Sequence, residues 1–265
     1  MSGMGDVNED IPSNNKLVDM MLGRSSDKIV DVESMTKETQ TRISSSLKQG
    51  FEYDHIIWVN EAADFLRKNV GSKVSLFVLF VDLVGSTKMT LELPAEKLSV
   101  IISSFSQEMG YVIKYHAGYL LKYVGDAVIA FFVGGQNPTQ QADNVFSCAR
   151  AMISVINKGI NPILAEYGYP KLAIKVGIDF GENHIVRYGS NKLKAHVDIL
   201  GAPISIASKI MAHAKPNEIL IGNDVYEKIH PSVKTLFRKV MWPQDKWNYP
   251  DKQTGAPYRI FSYNM

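Results

Sequence analysis

The chain has 265 residues, enough for one substantial core with room for a smaller appendage. Its 29 basic residues nearly balance 27 acidic ones, and the net charge of +2 gives no signal for a nucleic-acid or anionic-membrane partner. The single cysteine, Cys148, excludes an intramolecular disulfide and fits a reducing compartment. Apolar residues flank it at helical spacing, so it is interpreted as core filler.

Residues 1–28 are polar and predict a disordered N-terminus without the basic and apolar regions of a signal peptide. The longest apolar run in the chain is roughly half of the ~20 residues that a membrane helix needs. We therefore expect no membrane span and a cytoplasmic protein. Residues 29–71 predict a helical N-terminal extension, which is interpreted as a docking helix in preference to a sensory element.

The main domain, residues 72–265, opens with a strand that carries an acid at its end. Residues Val74–Val81 are almost all apolar and predict a strand that is buried on both faces. Asp82 follows where the strand should end, and Gly85–Thr87 predicts a tight turn with a helix-capping hydroxyl. An acid at the carboxyl edge of a buried strand, next to free backbone amides, is typical of a metal–phosphate site.

A helix and a hairpin follow this strand. Apolar residues recur at helical spacing across residues 94–113 and predict an amphipathic helix that covers a sheet. Two short apolar runs, Tyr119–Val124 and Ala127–Val133, then predict strands. The Gly125-Asp126 dipeptide between them is a hairpin signal.

The remaining elements alternate between helices and strands. The pattern predicts a helix ending near Ile156, strands at Leu172–Phe180 and Ile185–Tyr188, a basic loop at Gly189–Ala195, a helix at Pro203–Ala214, a strand at Glu218–Ile221, a short helix at Asp224–Ile229 and a last strand at Tyr258–Tyr263. The order βαββαβ, with extra elements behind it, is that of a ferredoxin-like core. The predicted fold class is α+β.

In this topology the end of the first strand lies beside the central hairpin, so Asp82 and Asp126 should form one site. Two close carboxylates repel each other unless a cation lies between them, and hard oxygen ligands favour Mg²⁺ or Mn²⁺. Such a pair, with two divalent cations, suits in-line displacement at phosphorus. Taken singly, Asp82 could instead cap the turn, and Asp126 could be an ordinary hairpin residue.

Three motifs carry a resemblance to a known family. The segments Phe80–Thr87 (FVDLVGST), Lys122–Asp126 (KYVGD) and Val197–Gly201 (VDILG) resemble the class III nucleotidyl cyclase catalytic domain, over about residues 72–229. The first two motifs are specific when they occur together, in this order and at this spacing. The resemblance implies a cyclase homology domain, preceded here by the helical N-terminal extension.

The resemblance also implies residue roles. Asp82 and Asp126 would hold two Mg²⁺ or Mn²⁺ ions in each site, with Leu83 as a further metal ligand. The turn after the first strand would cradle the triphosphate of the substrate. The residues expected to contact the substrate there are Leu83, Val84, Gly85, Ser86, Thr87 and Gly125.

Lys122 and Asp198 fall where adenylate cyclases of this family carry the pair that reads adenine. A Lys ammonium can donate to the ring nitrogen N1, and an Asp can accept from the exocyclic amine. Guanine would present a donor to the Lys and a carbonyl to the Asp, which leaves both groups unsatisfied. Without the flanking motifs, Lys122 would be a solvated strand residue and Asp198 a loop residue.

Because the family builds its site across a head-to-tail dimer, the resemblance implies a homodimer with two composite sites, an inter-subunit arm at residues 185–196 and an inactive monomer.

The catalytic positions that usually hold an Asn and, four residues on, an Arg are Ser205 and Lys209 here. Lys209 keeps the charge but lacks the bidentate fork of Arg. Losing one preorganised donor costs roughly 10²–10³ in rate. The activity is then low unless another cation substitutes, and the candidates are Arg187, Lys192 and Lys194.

Three functions are compatible with these residues. The leading hypothesis is an adenylate cyclase that converts ATP to cyclic AMP and pyrophosphate. The second is a cyclase of the same fold with another base, including a pyrimidine cyclase that makes cUMP or cCMP. The third is a weakly active, nucleotide-binding regulatory module. A diguanylate cyclase is disfavoured, because its Gly-Gly-acid-acid-Phe signature is absent and the nearest match is Gly134-Gly135-Gln136.

Overall fold

The computed structural model describes residues 31–50, 55–191, 194–251 and 254–264, so the disorder predicted for residues 1–28 lies outside the described residues. The helices are α1 (Val32–Gln49), α2 (His55–Lys68), α3 (Ser86–Glu92), α4 (Ala95–Tyr115), α5 (Pro138–Ser154), α6 (Asn161–Glu166), α7 (Ala202–His213), α8 (Asn223–Tyr226) and α9 (Pro231–Lys234), with a π-helical segment (Val155–Ile160) between α5 and α6. The strands are β1 (Lys73–Leu83), β2 (Tyr119–Val124), β3 (Ala127–Val133), β4 (Ile174–Tyr188), β5 (His196–Leu200), β6 (Glu218–Gly222), β7 (Arg238–Val240) and β8 (Ile260–Asn264).

The strands form one mixed sheet in the order β2-β3-β1-β4-β6-β8-β7, and β5 pairs with β4 beside this path. Neighbouring strands are antiparallel except β4 and β6, which are parallel. The elements β1, α4, β2, β3, α5 and β4 follow the predicted βαββαβ order, so the α+β, ferredoxin-like prediction is confirmed. None of the helices in the described ranges is long and apolar enough to cross a membrane.

The side chains of β1 divide the core into two layers. Phe77 and Leu79 belong to the layer that α4 and α5 cover. Val78 and Phe80 belong to the opposite layer, with residues of α2 and α7. Because side chains alternate along a strand, Asp82 shares the face of Phe80. The strand therefore delivers this acid to the α2 and α7 side of the sheet, at its carboxyl end.

The N-terminal extension contributes one helix to each side of the sheet. On α1, the Arg42 guanidinium donates to the fully buried Glu108 carboxylate of α4 over 2.9 and 2.6 Å, and Thr39 Oγ1 donates to the same carboxylate over 2.6 Å. On α2, Ala62 and Leu66 are buried in the opposite layer. These contacts make both helices part of one packed unit with the sheet.

The prediction of two separate strands at Leu172–Phe180 and Ile185–Tyr188 is wrong, because β4 runs unbroken across both. β1 pairs with β4 as far as His184, and β5 pairs with β4 from His184 onward. The residues between the two predicted strands are therefore held in the sheet by partners that are distant in sequence. The sequence pattern does not predict β7.

The predicted helix-capping hydroxyl is also wrong. Helix α3 begins after Gly85, whose φ is 74°, and no side-chain hydrogen bond caps it. Glycine adopts this left-handed conformation without steric cost, so the backbone itself makes the turn from β1 into α3.

Candidate active site

The two acids predicted to bind metal meet at the carboxyl end of β1. Asp82 pairs with Ala127 across the two strands, and Asp126 immediately precedes Ala127 in the hairpin turn. Burial of Asp82, followed by the neighbouring Asp126 carboxylate, raises the pKa of Asp82 to about 6, while the Lys175 ammonium acts in the opposite direction. Asp126 Oδ2 is buried and has no hydrogen-bond partner among the described residues. Such a pair is electrostatically incomplete without a cation.

The donors at this edge suit Mg²⁺ or Mn²⁺. Within the described ranges, no three His, Cys, Asp or Glu side chains cluster as a complete metal cage. The protein would thus supply Asp82 and Asp126, and water and phosphate oxygens would fill the other positions, as is usual for Mg²⁺. The Leu83 side chain is buried in the layer that α4 and α5 cover, on the other face of the sheet from Asp82, so Leu83 could contribute only its main-chain oxygen. The unpartnered Asp126 oxygen is the observation that fits a bound cation.

The predicted phosphate turn lies beside the acids. The Val84 amide already donates to the Ala173 carbonyl over 2.9 Å, so it is satisfied within the sheet. The first backbone hydrogen bond of α3 runs from the Met89 amide to the Gly85 carbonyl over 3.0 Å. The amides of residues 86–88 lie in the first turn of the helix, before this first bonded amide. The turn and the hairpin share a cavity of about 390 Å³, lined by Ser86, Thr87, Thr90, Leu91, Leu98, Ile102, Gly125 and Asp126.

The predicted base-reading residues form an ion pair. Lys122 Nζ donates to Asp198 Oδ2, although 76 residues separate them in sequence. Asp198 Oδ1 accepts from the backbone amide of Ile199 over 2.9 Å, which fixes the orientation of the carboxylate. His196 Nε2 lies 3.6 Å from Asp198 Oδ2. Asp198 is in strand β5 rather than in a loop.

A β-bulge aims Lys122 at its partner. The register between β2 and β3 shifts between Leu120 and Lys122, so Leu121 is the extra residue. Leu120 lies in the layer under α4, whereas Leu121 lies in the opposite layer. Strict alternation would return Lys122 to the α4 side, and the bulge instead keeps it opposite Ile129, on the side where Asp198 lies.

Ser205 and Lys209 are exposed on one face of α7, one helical turn apart. The Ser205 hydroxyl donates to the Gly201 carbonyl over 3.2 Å, and among the described residues neither side chain bonds to the acid pair. Their catalytic role across a dimer therefore stays a prediction. Of the substitute cations, Arg187 lies on β4 opposite Val197 and Lys194 precedes β5. Lys192 lies outside the described residues.

Sequence reasoning missed Lys175. This residue is on β4, directly opposite Asp82 in the antiparallel register. Directly opposed residues share a face of the sheet, and the Lys175 ammonium is close enough to lower the pKa of Asp82. It brings a cation to the edge where a triphosphate would lie. The available signal was a charged residue inside the otherwise apolar run from Ile174 to Ile178.

Comparison with known proteins places this geometry among nucleotide cyclases. Residues 69–241 match the family described as "Adenylate and Guanylate cyclase catalytic domain". A cytidylate cyclase from Escherichia coli is 28% identical over 160 residues, which cover 57% of this chain and 34% of that protein. A uridylate cyclase from Burkholderia cepacia is 28% identical over 176 residues, which cover 64% of this chain and 73% of that protein. The chain spans about a third of the length of the cytidylate cyclases that it matches.

Solved structures agree with the fold. The adenylyl cyclase CyaB from P. aeruginosa is similar with a TM-score of 0.60 and 25% identity, over 72% of this chain and 94% of that one. The guanylyl cyclase Cya2 is similar with a TM-score of 0.61 and 21% identity, over 73% of this chain and 93% of that one.

Proposed function

The chain belongs to the class III adenylate and guanylate cyclase catalytic domain family, and on this premise we propose that it is a nucleotidyl cyclase with ATP as its favoured substrate. One observation carries the proposal: Asp82 and Asp126 form a partly desolvated, mutually repelling acid pair, and Asp126 lines the cavity beside the first turn of α3. The products would be a 3′,5′-cyclic nucleotide and pyrophosphate.

In this reaction the ribose 3′-oxygen forms a bond to the α-phosphorus, the bond from the α-phosphorus to the oxygen of the β-phosphate breaks, and the hydroxyl proton leaves to solvent. Two Mg²⁺ or Mn²⁺ ions, when bound, would favour the ionised 3′-oxygen and neutralise the phosphates. Asp82 and Asp126 would hold them. The backbone of Gly85–Thr87 would contact the phosphates, and Lys175 would stabilise the charge that develops on the leaving pyrophosphate.

The preference for ATP rests on the ion pair between Lys122 and Asp198. Lys122 would donate to N1 of adenine, and Asp198 would accept from the exocyclic amine. A base that offers the reverse pattern would leave both polar groups unpaired, which a hydrogen-bonding site rejects strongly.

We further propose that two copies form a head-to-tail homodimer with composite sites. Ser205 and Lys209 are exposed on α7, where a second copy could use them at its own acid pair. A Ser hydroxyl can bond the ribose, and a Lys can meet the transition-state phosphate with one charge but without a bidentate fork. We expect the turnover rate to be roughly 10²–10³-fold lower than the rate that an Asn and Arg pair would support.

A pyrimidine cyclase is the second candidate. The observation that favours it is the similarity to proteins named cytidylate cyclase and uridylate cyclase, which match this chain over more than half of its length. The substitutions at Ser205 and Lys209 leave room for such divergence within the same chemistry.

The test incubates the purified chain with Mn²⁺ and each of ATP, CTP, GTP and UTP, and identifies cyclic products by mass spectrometry. Cyclic AMP as the main product supports the proposal. Cyclic CMP or cyclic UMP as the main product would contradict the ATP preference and favour the pyrimidine cyclase. No product from any of the four would contradict the cyclase and favour a regulatory module. Asp126→Asn serves as the inactive control.

A further inference from the structure

The Lys122–Asp198 pair keeps unused hydrogen-bonding capacity that defines what it can read. A carboxylate oxygen can accept two bonds, and an ammonium can donate three. Asp198 Oδ1 holds one bond from the Ile199 amide, and Oδ2 holds one from Lys122. The pair therefore offers a ligand spare acceptor positions next to spare donors. Its complement is a molecular edge with one donor beside one acceptor.

Two of the four nucleobases share that edge. Adenine and cytosine each present an exocyclic amine beside an unprotonated ring nitrogen, whereas guanine and uracil present a carbonyl beside a ring N–H. With Lys122 at the ring nitrogen and Asp198 at the exocyclic group, as the proposed function has them, adenine and cytosine satisfy both residues. We infer that this site recognises an exocyclic amine beside an unprotonated ring nitrogen, whether the base is a purine or a pyrimidine. CTP then binds alongside ATP, and GTP and UTP are rejected. The inference rests on the proposed function.

The two members of the pair have different freedom, which lets one site accept two ring sizes. The Asp198 side chain is 15% exposed and accepts a hydrogen bond from the backbone amide of Ile199, so the acceptor is fixed. The Lys122 side chain is 33% exposed and carries its ammonium on a flexible four-carbon stem, so the donor can follow the ring nitrogen of a smaller base.

Two aromatic side chains, His196 and Tyr188, lie on the same side of the β4–β5 hairpin as Asp198. His196 is two residues before Asp198, so the two side chains share a face, and its ring nitrogen lies 3.6 Å from the Asp198 carboxylate. Tyr188 is the cross-strand partner of His196, with ring centroids 6.0 Å apart and planes 17° from parallel. Both side chains are largely exposed. Stacking on such rings is tolerant of base identity, so these rings add affinity while the polar pair selects the edge.

The test measures equilibrium binding of the non-cyclisable α,β-methylene analogues of ATP, CTP, GTP and UTP to the full chain with Mg²⁺, by titration calorimetry. We expect the ATP and CTP analogues to bind within about tenfold of each other, and each at least about tenfold tighter than the GTP and UTP analogues. Asp198→Ala should remove this preference, and Glu166→Ala, an exposed carboxylate on α6, should keep it.

A CTP analogue that binds as weakly as the GTP analogue, or a UTP analogue that binds as tightly as the CTP analogue, would overturn the inference. Lack of binding by all four analogues would overturn it as well. The outcome is separable from the proposed function, which depends on product formation. Cyclisation of ATP with weak binding of the CTP analogue refutes the inference alone, whereas amino-selective binding without any cyclic product refutes the proposed function alone.

Discussion

Replacing Asp82 by Asn should stabilise the metal-free protein while removing its activity. The pKa of Asp82 is raised from 3.8 to about 6. A shift of this size corresponds to about 3 kcal/mol for a fully buried group, and solvent screening of this half-buried side chain reduces it to about 1–2 kcal/mol. Because the folded pKa is the higher one, the ionised acid destabilises the fold fully above about pH 6, and the penalty disappears below 3.8.

Urea unfolding, followed by fluorescence of the three tryptophans, measures this directly in the presence of a chelator. Asp82→Asn should raise the free energy of unfolding by about 1–2 kcal/mol at pH 8, and the gain should be about halved at pH 5. Mn²⁺ should stabilise the wild type and not the variant. The exposed Asp245→Asn is the matched control and should change neither quantity. A variant that is less stable than the wild type at pH 8 without metal would refute the repulsion argument.

Three further changes test other parts of the account. Arg42→Ala should lower the free energy of unfolding by about 3–5 kcal/mol, because Glu108 would keep a fully buried charge, and replacing both residues by Met should recover most of it. Asp179→Asn should raise the urea midpoint at pH 8. Burial raises the pKa of the Asp179 carboxyl, so the wild type loses stability as the pH rises above the ordinary Asp range, whereas Tyr258 can still donate to the amide oxygen of the variant. Lys175→Ala should lower kcat/KM for the nucleotide about 10–100-fold, because a charge-assisted contact is lost, and should slightly lower the melting temperature of the metal-free protein at pH 8, because the ammonium that offsets the Asp82 charge is gone.

Each of these changes has an opposite outcome that counts against it. A cost below about 1 kcal/mol for Arg42→Ala would mean that α1 is not held by the buried charge pair. A lower urea midpoint for Asp179→Asn at pH 8 would mean that this acid is stabilising in its ionised form. Unchanged kinetics in Lys175→Ala would place its ammonium away from the phosphates.

Elements with strong local signals could be predicted from the sequence. Strands Tyr119–Val124 and Ala127–Val133 begin and end at the predicted residues, because two apolar runs flank a Gly-Asp turn. The meeting of Asp82 and Asp126 followed from topology, since the first strand of a βαββαβ core lies beside the central hairpin.

Features that depend on distant partners could not be predicted. Nothing local marks Leu121 as the bulged residue, yet this bulge aims Lys122 at Asp198. The continuity of β4 past Gly181 depends on pairing with β1 and then with β5. The position of Lys175 opposite Asp82 is a matter of register, which side-chain alternation alone leaves open.

We propose Asp82 and Asp126 as the metal centre of a nucleotide cyclisation site. The most direct measurement is the release of cyclic nucleotide and pyrophosphate from ATP and Mn²⁺, compared between the wild type, Asp82→Asn, Asp126→Asn and the exposed control Asp245→Asn. The account predicts that the first two substitutions lower the rate by at least about 10²–10³-fold and that the control keeps it. Wild-type rates in either acid variant would contradict the claim.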